Sequence, residues 1–293
     1  MKDNPKILIG TLYSGENELE DCINAVEKQN YKNWEHKVFK NLPNKEAHDT
    51  LYRFFMDRAG EFDLFIKLDA DMVFQDERAL DEIVKIFQGS EDLDHLVTAV
   101  WDFFSESLIM GLHIFSNRVW WEVNEERVFV DPDPFREGEK IALWEAPAPF
   151  VLHNPNPDPL QAYSFGVHRM SKAIQSDRRT INRSQTKVQW GLIEKVWTHY
   201  KKNQDPRLGL AIIGADEVLS KKSDLRAYKN LTPEYISAKL KSLEDAKFVK
   251  KLHWRWDHKL YRNFRFYKTI IGRLFLFRLK RKTRHLLELL GFK

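Results

Sequence analysis

The stretch FDLFIKLDADMVF, residues 62–74, joins a run of apolar side chains to two aspartates that stand one residue apart. The apolar run predicts a deeply buried strand, and Asp69 and Asp71 follow where that strand is expected to end. Alternate side chains of an extended chain point the same way, so both carboxylates should face one side. Two hard oxygen ligands suit Mg²⁺ or Mn²⁺. An acidic turn in water is the alternative interpretation of this pair.

Predicted strands and helices alternate along the residues that precede the aspartates. Because this order is β-α-β-α-β, we predict an α/β fold with a mostly parallel central sheet flanked by helices. In such a sheet, ligands bind beyond the carboxyl ends of the strands, which is where Asp69 and Asp71 are expected. The strands are expected at 6–13, 35–41 and 62–74, and the helices at 16–29 and 46–60.

The pattern becomes less regular after residue 90. Seven of the eleven prolines lie between residues 131 and 159, which predicts an irregular excursion beside the sheet. Residues 161–175 and 208–223 each read as an apolar strand that turns into a helix. A helix is also expected at 76–89, and strands at 95–101, 108–115 and 119–123.

Composition and charge limit the class of protein. Cys22 is the only cysteine of the 293 residues, so an intrachain disulfide cannot form, and the first residues lack the apolar core of a signal peptide. We therefore expect a cytoplasmic protein. The net charge of +4 is unevenly distributed, with −9 in residues 1–246 and +13 in residues 247–293. This predicts a main domain over 1–246 and a basic aromatic extension over 247–293.

Residues 5–41 and 59–74 together resemble the first half of a glycosyltransferase of the GT-A fold, a Rossmann-like fold. The similarity is greatest to the large inverting family that uses nucleotide-diphosphate sugars, glycosyltransferase family 2. It covers residues 5–90 well and the rest only through isolated motifs. The resemblance divides the predicted catalytic domain into a nucleotide-sugar half, 1–100, and an acceptor and base half, 101–246. It also implies Mn²⁺ or Mg²⁺ as cofactor.

The same resemblance implies roles for five residues of the first half. Asp71 would bind the metal that joins the diphosphate oxygens, and Asp69 would contact the ribose or a metal-bound water. Thr11 and Tyr13 would frame the nucleotide base. Family members usually end the second strand with two aspartates, whereas this chain has KNLP, so only Asn41 could contact the base. An amide can pair with a uracil edge, and a UDP-sugar is therefore favoured.

A second motif, GADEVLS at 214–220, matches the helix start that supplies the general base in these families. The resemblance makes Asp216 the predicted base, with Glu217 as a second choice. An inverting transfer needs one carboxylate that takes the proton of the acceptor hydroxyl. The alternative for Asp216 is a carboxylate at a helix N-terminus that the helix dipole stabilises.

Four further residues are weaker candidates on the same resemblance. Several GT-A enzymes complete the metal shell with a histidine that follows the base motif, and His253 is the first candidate here, before His258. Gly166 and His168, in YSFGVHR at 163–169, match a glycine-containing loop that lies near donor and acceptor.

The C-terminal residues 268–292 mix large apolar side chains with seven arginines and lysines. This composition is typical of a helix that lies on an anionic membrane. A glycosyltransferase, which the resemblance implies, would with such a tail meet a lipid-linked acceptor. We therefore expect a lipid-linked glycan of bacterial surface polysaccharide or lipopolysaccharide as acceptor, and a peripheral position on the cytoplasmic face of the inner membrane. The alternative is that Leu274, Phe277 and Leu286 pack on the catalytic domain or on a second subunit.

Other classes of protein fit the sequence less well. A nucleotidyltransferase of similar fold usually has a glycine-rich basic loop after the first strand, and here that loop is the acidic LYSGENELE, 12–20. A haloacid-dehalogenase-like phosphatase places Asp-x-Asp on its first strand. A basic protein without enzymatic activity that binds nucleic acid or membrane is the third alternative. The charge of −9 in residues 1–246 disfavours nucleic acid as a partner.

Overall fold

The computed structural model describes residues 2–122, 125–126, 129–143, 150–176, 178, 180–220, 231–272 and 275. The chain divides into two compact units, Met1–Asp158 and Pro159–Lys293. The first is built around a sheet, and the second contains only helices among its described residues. The boundary predicted at residue 246 between catalytic domain and extension stays a prediction.

The first unit contains eight strands and three helices in its described part. Five of the strands and all three helices lie at or close to the positions that the sequence predicts. The elements are β1 (Ile7–Tyr13), α1 (Leu19–Glu27), β2 (Trp34–Lys40), α2 (Asn44–Asp57), β3 (Leu64–Asp69), β4 (Met72–Phe74), α3 (Ala79–Gln88), β5 (Leu93–Asp102), β6 (Ser107–Ser116), β7 (Glu139–Leu143) and β8 (Val151–His153).

The sheet is mixed, so the prediction of a mostly parallel sheet is wrong. Its strands follow the order β2-β1-β3-β6-β5-β8-β4, and β7 pairs with β5. The pairs β1–β2, β1–β3, β5–β7 and β5–β8 are parallel, whereas β3–β6, β5–β6 and β4–β8 are antiparallel. The physical reason is that β5 and β6 are separated by only four residues, too few for the crossover that parallel neighbours need.

Two details of the predicted strands also differ from the structure. A turn at Ala70 and Asp71 divides 62–74 into β3 and β4. Residues 119–122 of the expected strand 119–123 do not join the sheet, and in this region Trp120 forms an isolated bridge with Phe135. The proline-rich segment is less irregular than expected, because it contributes β7 and β8.

Close packing of α2 holds the parallel part of the sheet in place. Gly10 on β1 allows this contact, because a Cβ there would lie 2.2 Å from Cδ1 of Leu51. Phe55 of α2 stacks on Phe65 of β3 with ring centroids 4.8 Å apart. These buried aromatic and aliphatic side chains form the core beneath the strands whose ends carry the candidate site.

The second unit consists of α4 (Pro159–Ile174), α5 (Arg183–Asn203), α6 (Pro206–Leu219), α7 (Pro233–Ser242) and α8 (Ala246–Asp257). The predicted strands at the starts of 161–175 and 208–223 are therefore wrong. A short apolar run does not distinguish a buried strand from a buried helix. Asp205 caps α6 by accepting from the Arg207 amide, and Pro206 occupies the first helical turn.

Two glycines bring α4 and α6 into close contact. A Cβ on Gly166 would lie 1.8 Å from the carbonyl oxygen of Ala211, and one on Gly214 would lie 2.4 Å from that of Tyr163. Gly166 is thus buried in a helix contact, which corrects the prediction that it belongs to a loop.

Residues 259–272 form a helix after α8, so the described part of the predicted extension is helical. Its inner side buries Phe266 and Ile270. Most of the predicted tail 268–292 lies outside the described residues, including Leu274, Phe277 and Leu286. Within the described residues, no helix is both long enough and apolar enough to cross a membrane.

Candidate functional site

The carboxyl ends of three parallel strands bring together residues that the sequence marks as candidates. Tyr13 ends β1, and its carbonyl oxygen accepts a 3.0 Å hydrogen bond from the amide of Asn41, which follows β2. Asn41 has a φ of 59°, a left-handed conformation that asparagine tolerates. Asp69 ends β3 and lies opposite Leu12 of β1. Tyr13, Asn41 and Asp69 therefore share one edge of the sheet.

Thr11 lies deeper in the sheet than the other predicted nucleotide-binding residues. Its side chain is fully buried, and its hydroxyl is 2.9 Å from Nε2 of His36 on the neighbouring strand. The predicted contact with the base is not tested by this arrangement, but the hydroxyl is already engaged inside the sheet.

The two aspartates of the motif have different environments, and Asp69 is the paired one. Both of its carboxylate oxygens accept hydrogen bonds from Nζ of the buried Lys67, at 2.9 and 2.8 Å. Burial by itself raises the pKa of Asp69, but Lys67 and then His48 outweigh this effect and hold the pKa below its usual value. Lys67 also lies 3.5 Å from Asp131, so it is shared between two carboxylates. Asp69 is thereby fixed as an oriented anion.

Asp71 has no comparable partner. Its side chain is 21% exposed, and Oδ1 is buried without a hydrogen-bond partner among the described residues. Burial raises the pKa of Asp71 to about 6, opposed by His153 and reinforced by Asp69, Glu16 and Glu18. An unpaired carboxylate oxygen is costly unless a ligand satisfies it.

A histidine and a second aspartate lie next to Asp71. Nε2 of His153 is 3.5 Å from Oδ2 of Asp71, and Nδ1 is 2.7 Å from Oδ1 of Asp102. The other oxygen of Asp102 accepts from the amide and the hydroxyl of Ser105, at 2.8 and 2.6 Å. Asp102 is fully buried, so the histidine ring is held by an anchored carboxylate.

The residues around Asp71 fit a divalent cation that has few protein ligands. In the described part of the chain, no three His, Cys, Asp or Glu side chains form a complete metal shell. Mg²⁺ and Mn²⁺ often take only one or two carboxylates, while water and substrate phosphates supply the rest. Oδ1 of Asp71, which has no hydrogen-bond partner among the described residues, can serve as such a carboxylate ligand. The nearby Glu16 and Glu18 make its environment negative.

In the second unit, Asp216 lies in the last turn of α6 and not at a helix start. This corrects the premise on which it was predicted as the base, because the helix begins at Pro206. Oδ1 accepts a 2.6 Å hydrogen bond from Arg265, and Oδ2 is paired with Arg255. Arg265 also donates to the Ser220 hydroxyl at 2.8 Å. The carboxylate is therefore clamped between two arginines.

Glu217, the second choice for the base, is engaged as well. Oε2 accepts 2.6 Å hydrogen bonds from the hydroxyls of Tyr163 and Tyr235, and Oε1 is 2.5 Å from Nζ of Lys239. Burial alone raises the pKa of Glu217, but these three donors together place the pKa below its usual value. The network ties α4, α6 and α7 together.

The predicted metal ligand His253 lies on α8, within an aromatic cluster. Its ring contacts Trp197 edge-on at 4.9 Å between centroids, and Nδ1 is 3.4 Å from Asp257. His258 is the C-cap residue of α8, and its Nδ1 is 2.7 Å from the carbonyl oxygen of Trp254. His168 lies on α4, beyond Gly166.

Sequence reasoning missed Lys67, Asp102 and His153. Lys67 interrupts the apolar run of β3 and is buried, which is a signal that could have been read. His153 follows the apolar PFVL inside the proline-rich segment, and Asp102 follows the apolar run of β5. Neither residue belongs to a recognisable sequence motif, and only strand pairing brings them close to Asp71.

No protein-family model and no curated protein matches the chain. Among solved structures, it is similar to the mannosyltransferase PcManGT from Pyrobaculum calidifontis in complex with GDP-Man and Mn²⁺. The identity is 12%, the TM-score is 0.39, and the match covers 94% of this chain and 87% of that one. It is also similar to S. aureus TarS, with 10% identity, a TM-score of 0.33, and 85% and 55% of the two chains covered.

A third solved structure, A197 from STIV, has 11% identity and a TM-score of 0.28. This match covers 38% of the present chain and 64% of A197. All three TM-scores are below 0.5, and none of the three proteins defines the fold or the site of this chain.

Proposed function

We propose that the protein is a metal-dependent glycosyltransferase that moves a sugar from a nucleotide-diphosphate donor, a UDP-sugar being favoured, to an acceptor hydroxyl by inverting displacement. The observation that carries this proposal is the buried Oδ1 of Asp71 at the carboxyl edge of the sheet, which has no hydrogen-bond partner in the part of the chain that the structure describes. Tyr13 and Asn41 lie along the same edge. An oxygen that can bind a cation, on the same sheet edge as a tyrosine and an asparagine, suits a nucleotide diphosphate.

Each residue at this edge has a proposed role. Asp71 would hold Mn²⁺ or Mg²⁺, which would supply positive charge for the departing diphosphate. Lys67 fixes the carboxylate of Asp69, which is thereby oriented to accept hydrogen bonds from the ribose hydroxyls. Asn41 offers both a donor and an acceptor to the base.

The proton of the acceptor hydroxyl needs a carboxylate base, and Asp216 remains our candidate. Its two arginine partners also give it a structural role, and the stability and turnover of Asp216→Asn separate the two roles. Glu217, which already accepts from two hydroxyls and an ammonium, is the weaker candidate.

The proposed acceptor is a lipid-linked glycan at an anionic membrane surface. The helix 259–272 and the following Phe275 present large apolar side chains that are between 57% and 88% exposed. Their spacing of three or four residues places them on one side of the helix. We call this set the C-terminal apolar face; it consists of Leu260, Phe264, Tyr267, Ile271 and Phe275.

A thermal-shift screen tests the donor site. The chain is heated with UDP, GDP or UTP, with Mn²⁺ or with EDTA. A ligand of the folded state at 100 times its Kd raises the unfolding free energy by about 2.7 kcal/mol. We expect a nucleotide diphosphate to stabilise the protein only with the cation, and the protein to release sugar from the matching nucleotide-sugar.

Asp71→Ala should fold but lose the Mn²⁺-dependent stabilisation and the turnover, whereas the exposed control Asp133→Ala should keep both. Full turnover by Asp71→Ala, or by the wild type in excess EDTA, contradicts the proposal. A preference for the triphosphate, with release of pyrophosphate, would favour nucleotidyl transfer instead.

A further inference from the structure

Strand pairing places three distant residues in one row beside the Asp-x-Asp turn. His153 ends β8, which pairs in parallel with β5 so that His153 lies opposite Asp102. β8 also pairs with β4 in the antiparallel sense, and His153 there lies opposite Met72, the residue after Asp71. The amide of Asn154 donates to the carbonyl oxygen of Asp71 at 2.7 Å, which fixes the turn against the end of β8.

The hydrogen bonds around Asp102 define which nitrogen of His153 is the donor. Asp102 accepts two bonds from Ser105 on one oxygen, and its other oxygen lies 2.7 Å from Nδ1. A carboxylate can only accept hydrogen bonds, so the nitrogen that contacts its other oxygen must be the donor. In the neutral ring, the in-plane lone pair then belongs to Nε2, the nitrogen that faces Asp71.

The contact between Nε2 and Asp71 is longer than a hydrogen bond. The distance from Nε2 to Oδ2 is 3.5 Å. The two atoms are close enough for one cation to contact both. Nδ2 of Asn154 is 3.1 Å from both ring nitrogens, so it lies over the ring and not along either in-plane lone pair.

We propose that Nε2 of His153 is the nitrogen ligand of the cation held by Asp71, and that Asp102 is the positioning residue of this histidine. The inference rests on the proposed function, since it names a further ligand of the same site. Histidine ligands of metals commonly donate their second ring N–H to a carboxylate, which fixes the tautomer and the orientation of the ring. The side chain of His153 is nine-tenths buried, and its orientation is therefore set before any ion binds.

A nitrogen ligand also predicts which cation is preferred. Mg²⁺ strongly favours oxygen ligands, whereas transition metals accept imidazole. We therefore expect the site to bind Mn²⁺ more tightly than Mg²⁺, and that preference to depend on His153.

Electron paramagnetic resonance of Mn²⁺ added to the full chain tests this assignment without any turnover. The signal of free Mn²⁺ gives the Kd, and spin-echo modulation from ¹⁴N reports a directly bound imidazole. We expect nitrogen modulation in the wild type and none in His153→Gln, together with a Kd for Mn²⁺ raised about 10–100-fold. The Kd for Mg²⁺, measured by competition, should change much less.

Two variants complete the comparison. His253→Gln removes the histidine that the sequence suggested and should keep both the modulation and the Kd. Asp102→Asn should keep the nitrogen signal and weaken Mn²⁺ binding about tenfold, because the ring loses its anchor but not its ligand atom.

Several results would overturn the inference. Nitrogen modulation that persists in His153→Gln, or that disappears in His253→Gln, assigns the ligand elsewhere. A wild type that binds Mn²⁺ through Asp71 without any nitrogen signal rejects His153 but leaves the proposed function intact. A wild type that binds no Mn²⁺ with or without nucleotide diphosphate rejects both. Circular dichroism of each metal-free variant confirms that folding is unchanged, and His153→Asn replaces a variant that does not fold.

Discussion

Single residues show that one short motif can contain two different chemical environments. Asp69 and Asp71 are two positions apart, yet Asp69 is bonded through both oxygens to Lys67 while Oδ1 of Asp71 has no partner among the described residues. The pKa of Asp69 is lowered and that of Asp71 is raised, in agreement with these different environments. We infer that Asp71 is the cation ligand and that Asp69 is an oriented acceptor.

Asp216→Asn tests the arginine clamp at the same scale. The side chains of Arg255 and Arg265 are only 18% and 14% exposed, and the change removes the carboxylate charge that both of them contact. Removing one partner of a buried ion pair costs about 3–5 kcal/mol, so we expect the unfolding free energy to fall by about 3 kcal/mol. Urea denaturation measures the loss, and the exposed Asp133→Asn should show none.

A loss of turnover without a loss of stability would establish the catalytic role of Asp216. If Asp216→Asn keeps the wild-type stability and donor affinity while kcat falls at least 100-fold, the residue is the base and not a structural ion pair.

Among the elements, the contact between α4 and α6 depends on residues without side chains. The sequence resemblance suggested a sugar-binding role for Gly166, but the structure places this glycine against the backbone of α6. Gly214, which belongs to the base motif by sequence, faces α4 in the same way. Their small size is explained by helix packing alone.

Gly166→Ala should therefore destabilise the second unit. The added Cβ would lie 1.8 Å from a backbone oxygen, so the helices must separate, and overpacking of this kind costs about 1–3 kcal/mol or more. Gly191→Ala on α5 is the matched control, because a Cβ there has no atom within 4 Å and alanine favours a helix by about 1 kcal/mol. The thermal unfolding temperature should fall in Gly166→Ala and rise in Gly191→Ala. Unchanged stability in Gly166→Ala with weaker donor binding would restore the sugar-binding role.

At the scale of the whole molecule, the most uneven property is charge. Residues 1–246 have a net charge of −9, and residues 247–293 have +13. The C-terminal apolar face lies within the basic part, with Lys259 and Lys268 beside it in sequence. Apolar side chains insert into the membrane interface, while each basic side chain near an anionic surface adds about 1 kcal/mol to binding. We therefore propose an anionic membrane as the partner of this face.

Sedimentation with anionic vesicles tests this proposal. The double variant Phe264→Ser/Ile271→Ser should reduce vesicle binding of the full chain at least tenfold at low salt, because it removes two exposed apolar side chains. Val188→Ser, an equally exposed apolar position on α5, should bind as the wild type does. Release of donor sugar should be unchanged in all three proteins. Vesicle binding that survives in the double variant contradicts the proposal, and a wild-type dimer that the double variant abolishes would assign the face to a second copy of the chain.

The sequence by itself determined the elements that depend on neighbouring residues. The apolar runs and helical spacings of residues 6–90 predicted β1 to β3 and α1 to α3, because local periodicity reflects which side of an element is buried. It also placed Asp69, Asp71 and Asn41 at strand ends. Since parallel strands align their carboxyl ends, those residues could be expected to meet at one edge.

Only the tertiary structure decided the direction of the later strands, the helical state of 206–219 and the neighbours of Asp71. An apolar run such as LGLAIIG is compatible with a buried strand or a buried helix, and the choice depends on what packs around it. His153 and Asp102 reach Asp71 through the pairing of β8 with β4 and β5. Strand register of this kind joins residues far apart in the chain, and no local pattern encodes it.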